Sequence, residues 1–218
     1  MYPHRVERGV EYLESLGFWV RIAPHAMNSV GYVSDTDENR VADIHAMFHD
    51  PEVKAVIATI GGDHSCHLLP LLDFGLIRAN PKILMGYSDV TVLNVAIWEK
   101  TGLVTFNGPA VMVELAEYPK VFDYTERYML EALCSSEPVG EIRSSGWWTE
   151  EFLDWGEKED LARARWAGFG RLGVAEGRER RGRSRRWLPG VDAALARHAV
   201  LAGAGRRHPV PGDLRGET

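Results

Sequence analysis

Residues 54–62 read Lys-Ala-Val-Ile-Ala-Thr-Ile-Gly-Gly, and this stretch decides the fold class. An apolar run of this length, rich in β-branched residues and stopped by paired glycines, is typical of a buried strand. Residues 81–85 and 103–106 are two further short apolar runs, and each of them is followed by a glycine-containing turn. The sequence therefore predicts several buried strands of one sheet.

Helical patterns lie between these strands. Residues 6–16 and 36–50 carry apolar side chains at helical spacing, and the second segment begins with a capping threonine. Residues 18–22 are predicted to form a strand, and residues 68–72 and 90–100 two more helical segments. Strands and helices that alternate through short connections predict an α/β fold with a doubly wound, flavodoxin- or Rossmann-like parallel sheet.

The predicted α/β domain spans residues 1–140, and residues 141–165 are predicted to be a linker. The chain opens on a helix, whereas a sheet of this kind usually begins with a strand. We therefore expect the first strand of the sheet, at an edge or in the centre, to be missing from this domain.

The overall composition excludes several classes of protein. The apolar content of 45% is ordinary for a folded domain, and the formal net charge is −6. No early segment holds a long apolar run, so we expect neither a membrane span nor a secretory signal, and the cytoplasm is the expected location. Cys66 and Cys134 stand outside CxxC pairs and metal-type spacings, so we expect reduced, partly buried thiols and no zinc site.

The chain changes character towards its end. From Leu161 onward Arg, Gly and Ala dominate and Lys is absent, so the tail is basic and the front carries the net acidity. A segment this poor in periodic apolar residues cannot bury a core. We predict a disordered tail after about Arg163, with one helix near residues 191–201. Basic arms of this kind can contact nucleic acid, but we predict no nucleic-acid partner for this chain.

Ser88 is the strongest candidate for chemistry. Ligands bind beyond the carboxyl ends of parallel strands, so residues 61–64, 86–89 and 107–109 are expected to meet at one rim. Ser88 follows a strand and precedes a helix, a context in which a serine sits on a tight elbow with backbone N–H groups facing its hydroxyl. The alternative is that Ser88 is a helix N-cap and that Asp89 simply lies in the first helical turn. The pattern leaves both interpretations open.

Other residues near this rim are weaker candidates. The glycines at 61–62 could bring backbone N–H groups close to an oxyanion or a phosphate, but paired glycines also end strands as simple turns. His64 and His67 could lie near Ser88, although a surface or capping role is the favoured interpretation for both. The tryptophans within residues 147–155 are expected to pack as a cluster and not to form a ligand platform.

Several phrases between roughly Pro3 and Asp160 together resemble the serine peptidase family that holds LD-carboxypeptidases and microcin C immunity hydrolases. The wording at residues 60–62 and 152–156 is similar to the microcin-immunity branch. The phrases are Ser34-Asp35-Thr36, Arg40-Val41-Ala42-Asp43, Asp50-Pro51-Glu52-Val53-Lys54-Ala55, Ile60-Gly61-Gly62, Leu68-Leu69-Pro70-Leu71-Leu72-Asp73, Gly86-Tyr87-Ser88-Asp89-Val90-Thr91 and Gly108-Pro109.

The resemblance implies a role for each matched residue. Ser88 matches the serine that attacks an amide, and the N–H groups of Gly62 and Asp89 match the oxyanion hole. The family takes its catalytic His and Glu from a carboxyl-terminal domain, and it uses neither a metal nor an organic cofactor. The implied substrate is an amide next to a free carboxylate, in a murein peptide or a peptidyl-nucleotide. The implied assembly is a homodimer.

The tail departs from the family, because the expected Phe-Leu-Glu strand and the later His are not found after Asp160. Several codons can encode each of residues 196–217. Some of these codons, when they are read one base later, give the family phrase Arg-Gly-Thr-Pro-Tyr-Trp-Pro and a strand that contains Phe-Leu-Glu. We interpret residues 166–218 as the remnant of a carboxyl-terminal domain in the wrong reading frame, with the break near residues 173–178.

These observations predict a serine-type carboxypeptidase or amide hydrolase that is inactive as this chain, because the Glu and His of its triad are missing. The alternative is a non-catalytic α/β domain that binds a peptide or a sugar and carries a basic tail. A nucleotide-binding domain rests on fold analogy alone, because the sequence contains neither a dinucleotide-binding nor a P-loop fingerprint.

Overall fold

The computed structural model of the chain describes residues 2–149, 151, 153–162 and 167–168. None of the helices within these residues is long and apolar enough to span a membrane. Short 3₁₀ turns lie at Ser65–Leu68, Ser88–Val90, Glu114–Ala116 and Glu159–Ala162. The remaining elements are α1 (Pro3–Ser15), α2 (Asp37–His49), β1 (Ala55–Ile57), α3 (Phe74–Ala79), β2 (Ile83–Met85), α4 (Thr91–Thr101), α5 (Asp123–Cys134), β3 (Trp147–Trp148) and β4 (Ala167–Gly168).

The main sheet is small and parallel. β1 pairs with β2 in parallel, with Val56 opposite Leu84. Phe106 continues the pairing at the far edge of β2, because its N–H donates to the Leu84 carbonyl at 2.8 Å and its own carbonyl accepts from Gly86 N at 3.1 Å. β3 and β4 form a separate antiparallel pair. The spatial order β1, β2, Phe106 is therefore the same as the chain order.

Apolar side chains cover both faces of this sheet. Consecutive residues of a strand point to opposite faces. Val56 and Leu84 accordingly lie in one core cluster, whereas Ile57 and Met85 lie in a second. The first cluster is completed mainly by α2, α3 and α4, and the second by α1, α5 and residues 110–116. The helical members of the first are Val41, Met47, Phe48, Ile77, Leu93 and Ile97, and the second includes Leu13, Val111, Leu115 and Met129.

The helices predicted at residues 6–16, 36–50 and 90–100 are confirmed as α1, α2 and α4, with small shifts at their ends. Thr36 is the N-cap of α2 as expected, because its hydroxyl accepts from the backbone N–H of Asn39 at 3.3 Å. The prediction worked at these places because spacing and capping are local properties of the chain.

Two predicted elements are wrong, and the strand predicted at residues 103–106 is reduced to a single bridge at Phe106. Residues 18–22 form no strand, and within the described part of the chain no neighbouring strand pairs with them. Residues 68–72 form no helix, because Pro70 lacks the N–H that a helix interior needs. The chain instead makes the turn at Ser65–Leu68 and begins α3 after Asp73.

The two cysteines are free. Cys134 is half-buried as predicted, but Cys66 is exposed, so the prediction of a partly buried thiol is wrong for Cys66. The predicted disorder of the tail, its helix near residues 191–201 and its frameshifted origin lie outside the described residues.

A buried guanidinium fastens α1 to the rest of the fold. Arg5 is fully buried; its Nε donates to the Met112 carbonyl at 2.7 Å and its Nη2 to the Val113 carbonyl at 2.8 Å. Its Nη1 donates to the Asp160 carboxylate at 2.6 Å, and its Cζ lies 4.2 Å from the centre of the Trp155 ring. Trp155 and Asp160, which fall within the predicted linker, therefore pack against α1.

The Gly9→Ala substitution tests how closely α1 approaches residues 110–116. A Cβ on Gly9 would lie 2.5 Å from the Val111 carbonyl oxygen, so one of the two segments must shift. Overpacking against a backbone atom this close costs up to about 3 kcal/mol and the helix preference of alanine returns about 1 kcal/mol, so we expect the free energy of unfolding to fall by about 1–2 kcal/mol in urea denaturation. Gly146→Ala is the matched control, because no heavy atom lies within 4 Å of a Cβ there. Equal stability of the Gly9→Ala variant and the parent chain would contradict this close packing.

Candidate active site

Ser88 lies on the elbow between β2 and α4, inside the turn Ser88–Val90. Its φ of +59° is in the left-handed region, which a residue with a Cβ rarely adopts. The N-cap interpretation of Ser88 is wrong, because the N-cap of α4 is Val90 and the N-cap of the preceding turn is Tyr87. Such a backbone costs about 1–3 kcal/mol and persists only where its surroundings enforce it.

Two glycines make room for the elbow. A Cβ on Gly61 would lie 2.9 Å from Ser88 Cβ and 3.1 Å from Ser88 Oγ, so the serine side chain lies directly against the Gly61 backbone. A Cβ on Gly86 would lie 2.8 Å from both Ala58 Cβ and Val90 Cγ1. Any side chain at either glycine would push the elbow away from β1.

The Asp89 carboxylate joins the elbow to the loop that follows β1. Its Oδ2 accepts from the backbone N–H of His64 at 3.1 Å and from that of Ser65 at 2.8 Å. The loops at residues 61–64 and 86–89 therefore meet at one rim, as predicted. Gly108, in the third predicted loop, lies against Met85 at the end of β2.

The N–H groups of Gly62 and Asp89 were the predicted oxyanion donors. Gly62 and Asp89 are neighbours, because a Cβ on Gly62 would lie 3.4 Å from Asp89 Oδ2. Neither N–H donates to an acceptor within the described part of the chain. Both groups could therefore donate to a ligand atom.

A second set of hydrogen bonds holds the elbow from the opposite side, and the sequence analysis missed it. The Tyr87 hydroxyl donates to Glu114 Oε1 at 2.7 Å, and Glu114 Oε2 accepts from Ala110 N at 2.9 Å. Burial, together with the bond to Glu114, raises the pKa of Tyr87 above its ordinary value. Asn94 Nδ2 donates to the carbonyl of Gly86 at 2.9 Å. The sequence could have indicated a role for Asn94, because it is a polar residue within the apolar helix α4.

Of the two histidines only His67 takes the favoured surface role, because His64 is half-buried and its side chain makes no capping hydrogen bond. His64 is the residue that begins the turn Ser65–Leu68, and its ring centre lies 4.8 Å from that of Tyr32. His67 is exposed, and its Nδ1 lies 3.7 Å from the Asp37 carboxylate. Neither histidine hydrogen-bonds to Ser88 in the described structure. They therefore supply no base for the serine hydroxyl in this geometry.

The prediction that the tryptophans pack together is only partly confirmed. Trp155 packs edge-on against Tyr2, with ring centres 5.7 Å apart, and beneath Arg5. Trp147 is 61% exposed, so the prediction of a packed cluster is wrong for this residue.

A cavity of about 480 Å³ opens beside the elbow. Gly61, Gly62, Asp89 and Tyr32 are among the residues that line it. On its wall the Nδ1 of the half-buried His25 lies 2.8 Å from the carboxylate of the buried Asp43, a pair that the sequence analysis did not identify. In the described residues no group of three His, Cys, Asp or Glu side chains is arranged to hold a metal.

The loop that carries Tyr32 is fixed by a second carboxylate, that of Asp35. Asp35 accepts from the side chains of Asn28 and Asn39, at 2.5 and 2.9 Å, and from Thr36 N at 2.7 Å. These bonds, with that from Asn28 the strongest, lower the pKa of Asp35 to about 2. The loop is therefore held in place at any pH well above that value.

Similar proteins are known for the front of this chain. Residues 1–108 match the LD-carboxypeptidase N-terminal domain. The YocD protein of Bacillus subtilis, which carries a provisional carboxypeptidase name, is 46% identical over 144 residues, or 65% of this chain and 43% of YocD. The Escherichia coli microcin C7 self-immunity protein MccF is 35% identical over 159 residues, or 72% of this chain and 46% of MccF.

A solved structure of MccF in complex with aspartyl sulfamoyl adenosine is also similar. It superposes with a TM-score of 0.71 at 32% identity, and the match covers 77% of this chain and 50% of the MccF chain. The chain thus spans half or less of the length of the relatives that it matches.

The Asp89→Ala substitution tests the link between the two loops. Without the carboxylate, the N–H groups of His64 and Ser65 lose their acceptor, and we expect a loss of about 1–3 kcal/mol in unfolding free energy. Amide hydrogen exchange at residues 64 and 65 should become faster. Asp63→Ala is the matched control, because Asp63 is exposed on the same loop and should change stability by less than about 0.5 kcal/mol. Unchanged exchange at both amides in the Asp89→Ala variant would show that the carboxylate does not hold the loop.

Proposed function

Because residues 1–108 of this chain belong to the LD-carboxypeptidase N-terminal domain family, we propose that Ser88 is the nucleophile of a serine-type carboxypeptidase or amide hydrolase. One observation carries the proposal. Ser88 adopts a left-handed backbone, and its exposed side chain lies against Gly61, which lines the cavity. Strain of this kind clusters at functional sites, and an elbow between strand and helix exposes a hydroxyl to a ligand.

The proposed chemistry begins with attack of Ser88 Oγ on an amide carbonyl. The negative charge that develops on the carbonyl oxygen would be stabilised by the N–H groups of Gly62 and Asp89, which have no other acceptor in the described structure. The serine proton must pass to a base. Within the described residues no His, Asp or Glu side chain hydrogen-bonds to the hydroxyl, so we propose that this chain lacks the base and is inactive alone.

The proposed substrate is an amide next to a free carboxylate, in a peptide or a peptidyl-nucleotide. The family name supports a peptide with a carboxyl end. The ligand named for MccF, aspartyl sulfamoyl adenosine, supports a peptidyl-nucleotide. MccF is about twice as long as the region that matches it, so the substrate is part of the proposal.

The proposal also includes the finer organisation of the chain. The small parallel sheet, with helices against both faces, supports a doubly wound fold for residues 1–140. We further propose that residues 141–165 are a linker and that residues 166–218 are the out-of-frame remnant of a carboxyl-terminal domain. We also propose that the protein lies in the cytoplasm and pairs as a homodimer.

The second candidate is a non-catalytic domain that binds a peptide or a sugar and carries a basic tail. The cavity favours it, because its volume of about 480 Å³ is within the range of small-molecule sites. Binding that is unchanged in a Ser88→Ala variant, and that weakens with salt only while the tail is present, would favour this candidate over the hydrolase.

A fluorophosphonate probe, which forms an adduct with nucleophilic serines, tests the proposed role of Ser88. We expect slow labelling of the intact chain at Ser88, because no base takes the hydroxyl proton. Added imidazole can act as that base, and we expect it to accelerate labelling by about tenfold, below the 10²–10⁴ that a positioned base supplies. Mass spectrometry of the peptides locates the adduct.

Two variants control this experiment. Ser88→Ala should give no imidazole-dependent adduct, whereas Ser34→Ala, on the cavity wall, should label like the parent chain. Equal labelling of several serines would exclude a special role for Ser88. Fast labelling without imidazole would show that the chain does contain a base, and the proposed inactivity would then be wrong.

A further inference from the structure

His25 lies on the wall of the cavity and is held there by Asp43 of α2. The ring Nδ1 of His25 lies 2.8 Å from Asp43 Oδ1, and its backbone N–H donates to Asp43 Oδ2 at 3.0 Å. Asp43 is only 7% exposed, and both residues line the cavity. Two hydrogen bonds to one buried carboxylate therefore fix the backbone and the ring of His25 together.

The bond to Asp43 sets which ring nitrogen of His25 carries the proton. A carboxylate only accepts hydrogen bonds, so Nδ1 carries a hydrogen and donates it. In the neutral ring Nε2 then has a lone pair and is an acceptor. Within the described part of the chain no group hydrogen-bonds to Nε2, and the side chain is 31% exposed. An acceptor on the cavity wall is therefore left for a ligand.

The charges around this acceptor favour a cationic donor. Among the described residues that line the cavity, Asp43, Asp63 and Asp89 are acidic, and the single Arg or Lys is Arg40. Arg40 is itself paired, because its Nη1 lies 3.3 Å from the Asp37 carboxylate. Backbone N–H groups bond to Asp43 and Asp89, but such neutral donors leave the negative charge in place. The cavity therefore presents an excess of negative charge.

From this arrangement we infer that the His25–Asp43 pair binds the primary ammonium group of a ligand, with Nε2 of His25 accepting one of its N–H bonds. An ammonium group has three donors and no acceptor, so it matches a lone pair that is surrounded by carboxylates. The ligand class is a peptide with a free amine, at its amino terminus or on a side chain. The inference concerns binding alone and does not depend on the role proposed for Ser88.

Protonation of His25 should abolish this binding. The imidazolium ring carries a second N–H in place of the lone pair on Nε2, and its positive charge repels an ammonium group. Histidine side chains titrate between about pH 5 and 8, so the amine should bind well at about pH 7.5 and weakly at about pH 5.5. The charged and titratable groups around His25 are Asp43 and Arg40 on α2, Asp35 in the loop before α2, and Asp63, His64 and Asp89 elsewhere along the cavity.

Three dipeptides that differ only in their amines test the inference on the intact chain. Norleucyl-alanine carries an α-ammonium group, N-acetyl-lysyl-alanine carries a side-chain ammonium group, and N-acetyl-norleucyl-alanine carries neither. In an NMR titration at about pH 7.5, we expect one of the first two to bind about tenfold more tightly than the third, because a hydrogen bond to a charged group is worth at least that factor. The tighter of the two identifies the source of the amine. Equal binding of all three would overturn the inference.

The His25→Leu substitution removes the acceptor and keeps an uncharged side chain in its place. We expect both the preference for the amine and its dependence on pH to disappear in this variant. His49→Leu is the matched control, because His49 is exposed at the end of α2 and does not line the cavity, and it should keep both. A preference that survives in the His25→Leu variant would show that the amine binds elsewhere.

The ring of His25 gives a second measurement that does not depend on how well a variant folds. In ¹⁵N NMR of the intact chain with labelled histidines, we expect the proton on Nδ1 at about pH 7.5, and a shift of the Nε2 resonance with the amine dipeptide alone. A proton on Nε2, or an unshifted resonance at saturating amine, would contradict the inference. The Ser88→Ala variant should give the same shift as the parent chain, so this result and the serine labelling can fail separately.

Discussion

The left-handed backbone of Ser88 is the constraint on which the rim depends. It costs about 1–3 kcal/mol, and hydrogen bonds of about 0.5–1.5 kcal/mol each offset it from three directions. Asn94 holds the carbonyl of Gly86 from α4, and Glu114 holds the hydroxyl of Tyr87 from residues 110–116. Asp89 holds the loop after β1. The serine is thus fixed by parts of the chain that are far apart in sequence.

The segment that carries Glu114 is itself held by α1. The buried Arg5 donates to the carbonyls of Met112 and Val113, directly before Glu114. Burial alone would raise the pKa of its partner Asp160, but the bonds and charges of Arg8 and Arg5 outweigh that effect and hold the pKa below its ordinary value. Removing one member of a buried ion pair costs about 3–5 kcal/mol. A guanidinium in the first turn of the chain therefore helps to set the geometry of a serine at position 88.

Local signals and long-range pairings explain what the sequence could predict. The strand predicted at residues 54–60, whose centre forms β1, the cap at Thr36 and the elbow at Ser88 follow from spacing and turn chemistry within a few residues. The strand predicted at residues 18–22 does not form, because a strand needs a neighbouring strand to pair with. The composition of a segment does not show whether such a neighbour is present. The Asp89 carboxylate accepts from the N–H groups of His64 and Ser65, which lie 25 and 24 residues earlier in the chain. The sequence around Asp89 does not indicate these partners.

β1 connects the main sheet with the rim. One edge of β1 bonds to β2, and the carbonyls of Ala58 and Thr59, directly after β1, accept from the N–H groups of Val111 and Met112. Gly61, two residues further, lies against Ser88. Residues 110–116, which Arg5 holds from α1, therefore also fix the end of β1 from which the loop that contacts the serine begins.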